Sequence, residues 1–170
     1  DPGSRVTGIG VVETRGQSLH YIHSECVRVG AGPLGARLVA IHQRIQAVID
    51  RFQPASGAIE KVFVSANPQS ALVLGQARGS ALLALAQSEL EISEYSALEI
   101  KRAITGTGRA GKEQVQHMVR VLLGMDRKPA QDAADALACA ICHLHHAESR
   151  LRQTVAGVSV LAEDAGSARR

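Results

Sequence analysis

From Leu34 to Phe52 the apolar residues Leu34, Leu38, Ile41, Ile45, Ile49 and Phe52 recur at threes and fours, the spacing of one helix face. What flanks this run constrains the fold more than the run itself, because the segments on either side follow a shorter period. Val6 to Thr14 and Ser18 to Val29 are β-rich runs separated only by Arg15-Gly16-Gln17, the pattern of an antiparallel hairpin. After the helix, Gln53-Pro54 forces an end, and Gly57 to Val64 is a short strand that carries Glu60 among Ala58, Ile59 and Val62. Helix (Ser70–Ser88), strand (Glu91–Tyr95), short helix (from Ser96 to near Gly106), helix (Lys112–Leu123) and a last helix from Pro129 toward Arg150 complete the series. Strands alternating with helices imply an α/β fold, a mixed sheet flanked by helices on both faces. With Asp1 expected at the end of a preceding central strand, the sheet has five strands. One domain is expected over 1–150, and the mixed Gly, Ser, Ala and charged composition of 151–170 predicts a frayed or disordered tail.

A chain of 170 residues suits a single core. Hydrophobic residues make up 45%, yet there are only two Phe, two Tyr and no Trp, so that core must be aliphatic. A net charge of +3 is too small to establish a polyanionic partner, and the placement of the charges matters more. No run is long and apolar enough to span a membrane, and none resembles an export signal, which leads to a cytoplasmic expectation. Three cysteines argue against a disulfide framework. Cys139-Ala140-Ile141-Cys142-His143 matches a haem-attachment string, but it falls inside an Ala/Ile/Leu helical run, where free thiols act as small core residues.

The chemistry is concentrated in acids from distant segments. Asp132 and Asp135, three apart in an alanine-rich stretch, share one helix face about a turn apart, at a helix start where the dipole offsets part of their repulsion. Read alone, the pair is an ordinary acidic first turn, and Glu60 alone could be a solvent-facing residue of an edge strand. Together with Asp1, however, the topology can gather four carboxylates, which would raise one another's pKa unless cations neutralise them. Two Mg²⁺ ions would do so and would activate water against a phosphate. A second element fits phosphate. Gly106 to Lys112 is a glycine loop with Lys101, Arg102, Arg109 and Lys112 within a dozen residues, a mobile cationic segment. It contains the letters of a nucleotide loop, but residue 113 is Glu where a hydroxyl is needed, and helix precedes it where a strand is required. In the helix Ser70–Ser88, Gly75 and Gly79 strip bulk from one face beside Leu72, a subunit contact or close packing within the monomer.

Five ordered blocks then carry a resemblance. Asp1-Pro2-Gly3-Ser4-Arg5-Val6-Thr7-Gly8, Ile59-Glu60 with Val62-Phe63, Leu74-Gly75-Gln76-Ala77-Arg78-Gly79, Lys112 to Arg120, and Asp132-Ala133-Ala134-Asp135-Ala136-Leu137-Ala138 resemble the RuvC Holliday junction resolvase family from Asp1 to about His145. The resemblance implies a ribonuclease H-like fold, a homodimer, and Mg²⁺-dependent paired nicking of two like-polarity strands of a four-way DNA junction, with Mn²⁺ as a possible substitute. It implies that Asp1, Glu60, Asp132 and Asp135 are catalytic metal ligands, that Phe63 meets junction bases, that Lys101 and Lys112 act on the DNA being cut, and that the helix with Gly75 and Gly79 forms the dimer. It also implies the RuvA-RuvB branch-migration complex as a partner. A non-cleaving junction-binding protein is the alternative; losing one acid would favour it, and all four are present.

Overall fold

The computed structural model describes the backbone of residues 1–62 and 67–167 and the side chains of those through residue 150. Strands β1 (Val6–Arg15) and β2 (Ser18–Arg28) form the hairpin read from the sequence, antiparallel, with a register shift between Val11 and Val12. Helix α1 (Leu34–Phe52) follows and ends at Gln53, whose left-handed backbone (φ 46°) closes the last turn. Strand β3 (Ser56–Glu60) pairs in parallel with β4 (Glu91–Tyr95), and between them runs α2 (Pro68–Gln87). That helix begins two residues before the expected Ser70, because Asn67 caps it and Pro68 fits the first turn. Helix α3 (Ala97–Thr105) opens on the Ser96/Glu99 capping box, α4 (Lys112–Leu122) follows, and α5 (Gln131–Ser167) is the last. The helical backbone of α5 thus runs on through the stretch whose composition predicts fraying.

Helices lie on both sides of the strands. Helices α1 and α2 pack through Ile41, Ile45, Ala77 and Ala81 on Ile59, with Ile9 and Ile92 at the margin. On the other side, α3, α4 and α5 close around Ile100, Val119, Leu137 and Ile141, with Val12, Ala58 and Tyr95 from the strands. The core is aliphatic, as the composition demands. The sheet differs from expectation: among the described residues the strands form two separate pairs, β1-β2 and β3-β4, and not one five-stranded sheet. Sheet pairing joins residues far apart in sequence, so no local pattern reports it. A cavity of about 520 Å³ lies between the pairs, lined by Thr7 to Thr14 of β1, Gly57 to Ile59 of β3, and Ala136 and Ala140 of α5.

Candidate active site

Three chain segments meet at one end of the strands. The first is the turn before β1. Gly8 donates its N–H to the Asp1 carbonyl at 2.9 Å, and the Asp1 amino group donates to the Gly8 carbonyl at 3.2 Å, so Asp1 is held against β1. Thr7, almost fully buried, ties the turn from inside: its hydroxyl donates to the Gly3 carbonyl at 3.2 Å. Gly3 is required there, since a Cβ would fall 2.0 Å from the Val6 carbonyl oxygen.

The second segment is the end of β3. Glu60, its last residue, pairs with Tyr95 at the last rung of the parallel ladder, so it sits at the carboxyl edge where α/β folds place ligands. The third is the first turn of α5. Ala133, Ala134, Ala136 and Leu137 are buried, whereas Asp132 and Asp135 on the other side are only half-buried. What brings α5 so near β1 is the pair Gly8 and Gly10 on one face of that strand. A Cβ on Gly8 would lie 1.9 Å from the Asp132 carbonyl oxygen, and one on Gly10 would lie 2.9 Å from the Leu137 nitrogen.

The electrostatics show that these segments share one field. Burial pushes the Glu60 carboxyl above the usual range, and the charge of Asp135 pushes it further, against Lys112 and Lys101. Asp135 is likewise raised by burial and by Asp132, against Gln131 and Lys112. Among the described residues none of the four acids forms an ion pair; the pairs present involve Glu13, Glu25 and Glu94. No three acid, histidine or cysteine side chains among the described residues are gathered tightly enough to enclose a metal ion. The donors themselves suit one: hard carboxylate oxygens, partly desolvated and without a protein cation in contact, are what Mg²⁺ or Mn²⁺ takes.

The basic residues divide. Lys112 opens α4, and its charge reaches both Glu60 and Asp135; that of Lys101, on α3, reaches Glu60. Arg102 and Arg109 are exposed nearby. The glycine loop read as mobile is tethered: Gly106 caps α3 with φ 74°, the Thr105 hydroxyl donates to the Thr107 carbonyl at 3.0 Å, and Ala110 is buried in the core. Helix precedes it, which excludes the nucleotide loop. Phe63 lies outside the described residues. On α2, Leu72 is exposed, and among the described residues a Cβ on Gly75 or Gly79 would meet nothing within 4 Å, so neither glycine serves packing against them. The haem string is a core segment, with burial pushing Cys139 up to about 12 and Cys142 up to about 11, which makes both thiols inert.

Sequence reasoning missed the parts that place the acids. Gly8 and Gly10 were legible only as strand glycines. Gln116, one turn past Lys112, donates from its buried side-chain nitrogen to the Pro129 carbonyl at 2.7 Å and so fixes α4 against the start of α5. His143 on α5 bonds through Nε2 to the Ser56 hydroxyl at 2.8 Å and through Nδ1 to the Tyr95 hydroxyl at 3.0 Å, joining α5 to both parallel strands.

Comparison with known proteins is consistent along nearly the whole chain. Residues 1–143 match the family model described as crossover junction endodeoxyribonuclease RuvC. A protein of that name from Marinobacter nauticus is 51% identical over 160 residues, 94% of this chain and 91% of its own length. Another from an Azoarcus species is 50% identical over 145 residues, 85% of this chain and 79% of its own. Among solved structures, Thermus thermophilus RuvC superposes with a TM-score of 0.80 at 34% identity, covering 88% of this chain and 93% of that one. The same protein in complex with Holliday junction substrate gives 0.81 at 35% identity, covering 86% and 91%.

Proposed function

We infer the mechanism from one premise: this chain belongs to the RuvC family of crossover junction endodeoxyribonucleases. It is an endonuclease of the Holliday junction resolvase family, with the α/β fold of RuvC. Its action is metal-dependent paired nicking of two like-polarity strands of a four-way DNA junction. The observation that carries this reading is the convergence of three acid-bearing segments: the Asp1 turn and the Asp132 turn of α5 both close on β1 at Gly8, and Glu60 ends β3 within range of the Asp135 and Lys112 charges.

Asp1, Glu60, Asp132 and Asp135 would hold the divalent ions, two Mg²⁺ per site, with Mn²⁺ able to replace them. When bound, such ions supply a water of low pKa and positive charge for the phosphate in an in-line displacement. The chain's own residues do the rest. Lys112 and Lys101 hold the scissile phosphate and neutralise the charge that grows on it, with Lys112 the nearer to the acids. Arg102 and Arg109 meet the flanking backbone, where contacts position the DNA without reading its sequence. Phe63 is assigned to the junction bases by resemblance.

A two-fold dimer through Leu72, Gly75 and Gly79 on α2 would offer two identical sites to a junction of matching symmetry. An extended segment in the cavity between β1 and β3 would pair with both and complete a five-stranded mixed ribonuclease H-like sheet. We place the nuclease in 1–150, its action in the cytoplasm and its partner in the RuvA-RuvB branch-migration complex. No helix among the described residues is long and apolar enough to cross a membrane.

Nicking of a labelled four-way junction against a linear duplex of the same sequence, with and without Mg²⁺, tests the reading. Symmetric nicks on the junction alone, and only with metal, are expected. Binding without nicking would favour the junction-binding alternative, and equal cutting of the duplex would remove junction specificity.

A further inference from the structure

We propose that Arg78 is a positioning residue for Glu60, gripping the end of β3 from α2 and thereby fixing where the acid projects. The inference rests on reading Glu60 as a metal-holding carboxylate. Arg78 Nε donates to the Glu60 backbone carbonyl at 3.1 Å, and its Nη2 pairs with the Glu94 carboxylate on β4. The next amide is held as well: Lys61 N–H donates to the Tyr95 carbonyl at 2.7 Å. The peptide between Glu60 and Lys61 is therefore bonded at both ends, its oxygen to α2 and its nitrogen to β4.

That matters because Glu60 is the last residue of the strand, and regular pairing beyond it stops. Among the described residues Arg78 holds the oxygen of this peptide and Tyr95 its nitrogen, so losing Arg78 would leave the plane held at one end only and loosen the direction of the Glu60 side chain. The planar guanidinium suits the task, since one rigid fork reaches a carbonyl and a carboxylate in fixed relation, which a lysine ammonium cannot reproduce. Arg78 is mostly covered, its side chain 20% exposed against 43% for Glu94, so the bridge is partly screened from solvent. Because Arg78 sits on the helix that bears Leu72, Gly75 and Gly79, the grip also ties the acid to the face assigned to the dimer.

The test is calorimetric titration of Mn²⁺ into the DNA-free protein, alongside nicking across a Mn²⁺ series and thermal melting, for Arg78→Lys, Arg78→Ala, Glu94→Gln and the reference Glu60→Gln. Groups that orient a metal ligand typically cost about 10- to 100-fold in metal affinity when removed. Arg78→Lys is expected to weaken Mn²⁺ binding by that amount, to recover nicking at high Mn²⁺, and to bind junction and melt like the parent. Glu94→Gln, which keeps the carbonyl bond, should shift the same way by less. Parent-like Mn²⁺ affinity in Arg78→Lys, with affinity lost in Glu60→Gln, overturns the proposal and leaves the site reading intact. A lowered melting temperature with unchanged Mn²⁺ affinity reduces the bridge to a structural brace and overturns it too. If Arg78→Ala does not fold, Arg78→Lys and Glu94→Gln decide. Parent-like Mn²⁺ affinity in Glu60→Gln would instead overturn the site reading itself.

Discussion

Helices α2 and α5 are both built on alanine and leucine, yet they use their surfaces in opposite ways. In the first turns of α5, Ala133, Ala134, Leu137, Ala138, Ile141 and Cys142 are almost wholly enclosed, and the acids stand on the one side left open. Helix α2 buries Ala77, Ala81 and Ala84 but leaves Leu72 and Leu83 more than half exposed, at 58% and 53%, beside two glycines with open space over them. Composition does not separate these cases; neighbours do. Helix α5 is met by β1, β2, β3, α3 and α4, whereas α2 packs chiefly on α1. A helix covered on every side but one holds the carboxylates on that side in a fixed place, and a helix covered on one side leaves an apolar face exposed.

The sharpest way to break the α5 half of the comparison is Gly8→Ala. The added methyl would meet the Asp132 backbone oxygen, which no side-chain rotation relieves, so α5 must shift. Overpacking of this kind costs about 1–3 kcal/mol. Cleavage should fall with it, and a melt together with a nicking assay reads both. A parent-like variant would show that the close approach of α5 to β1 is dispensable.

The α2 half predicts the reverse pairing of effects. Leu72→Glu with Leu83→Glu should convert the proposed dimer to a monomer by sedimentation while changing monomer stability little, within about 0.5 kcal/mol per exposed site. Paired nicks should become single. A dimer that survives both changes would place the interface elsewhere.

Within α5, His143 adds a pH dependence. Burial holds its pKa below the ordinary histidine value of 6.5, and the ring is bonded to Ser56 and Tyr95. Below pH 6.5 the unfolded chain takes a proton that the folded one refuses, so the stabilisation is complete above 6.5 and is lost as pH falls through and below it. Melting temperatures from pH 8 to 5 should decline on the acid side, and His143→Gln should flatten that decline. An unchanged slope in the variant would assign the acid sensitivity to other groups.

The smallest effect on binding is expected at Lys112→Ala, which should reduce the salt slope of junction binding by about one while lowering cleavage. A slope equal to the parent's would return Lys112 to the solvated surface.

What could be read from the sequence follows the same division between local and distant causes. The bounds of α1, the Ser96/Glu99 box and β4 are written within a few residues of themselves, as periodicity and capping, and the structure has them where the pattern puts them. The end of β3 at Glu60 and the separation of the strands into two pairs depend on partners dozens of residues away. Among the candidate site residues, Asp132 and Asp135 were legible from their spacing on a helix, whereas Arg78 was visible only as a letter between two glycines. Its partners, the Glu60 carbonyl and Glu94, are 18 and 16 residues away, and no spacing rule connects them.

The measurement that bears most directly on the central claim is junction binding and nicking by Asp132→Asn in Mg²⁺. Removing one carboxylate assigned to the phosphate site should leave binding intact or tighter, with no nicks formed. Nicking at the parent rate would contradict the assignment of the acid cluster as the cleavage site.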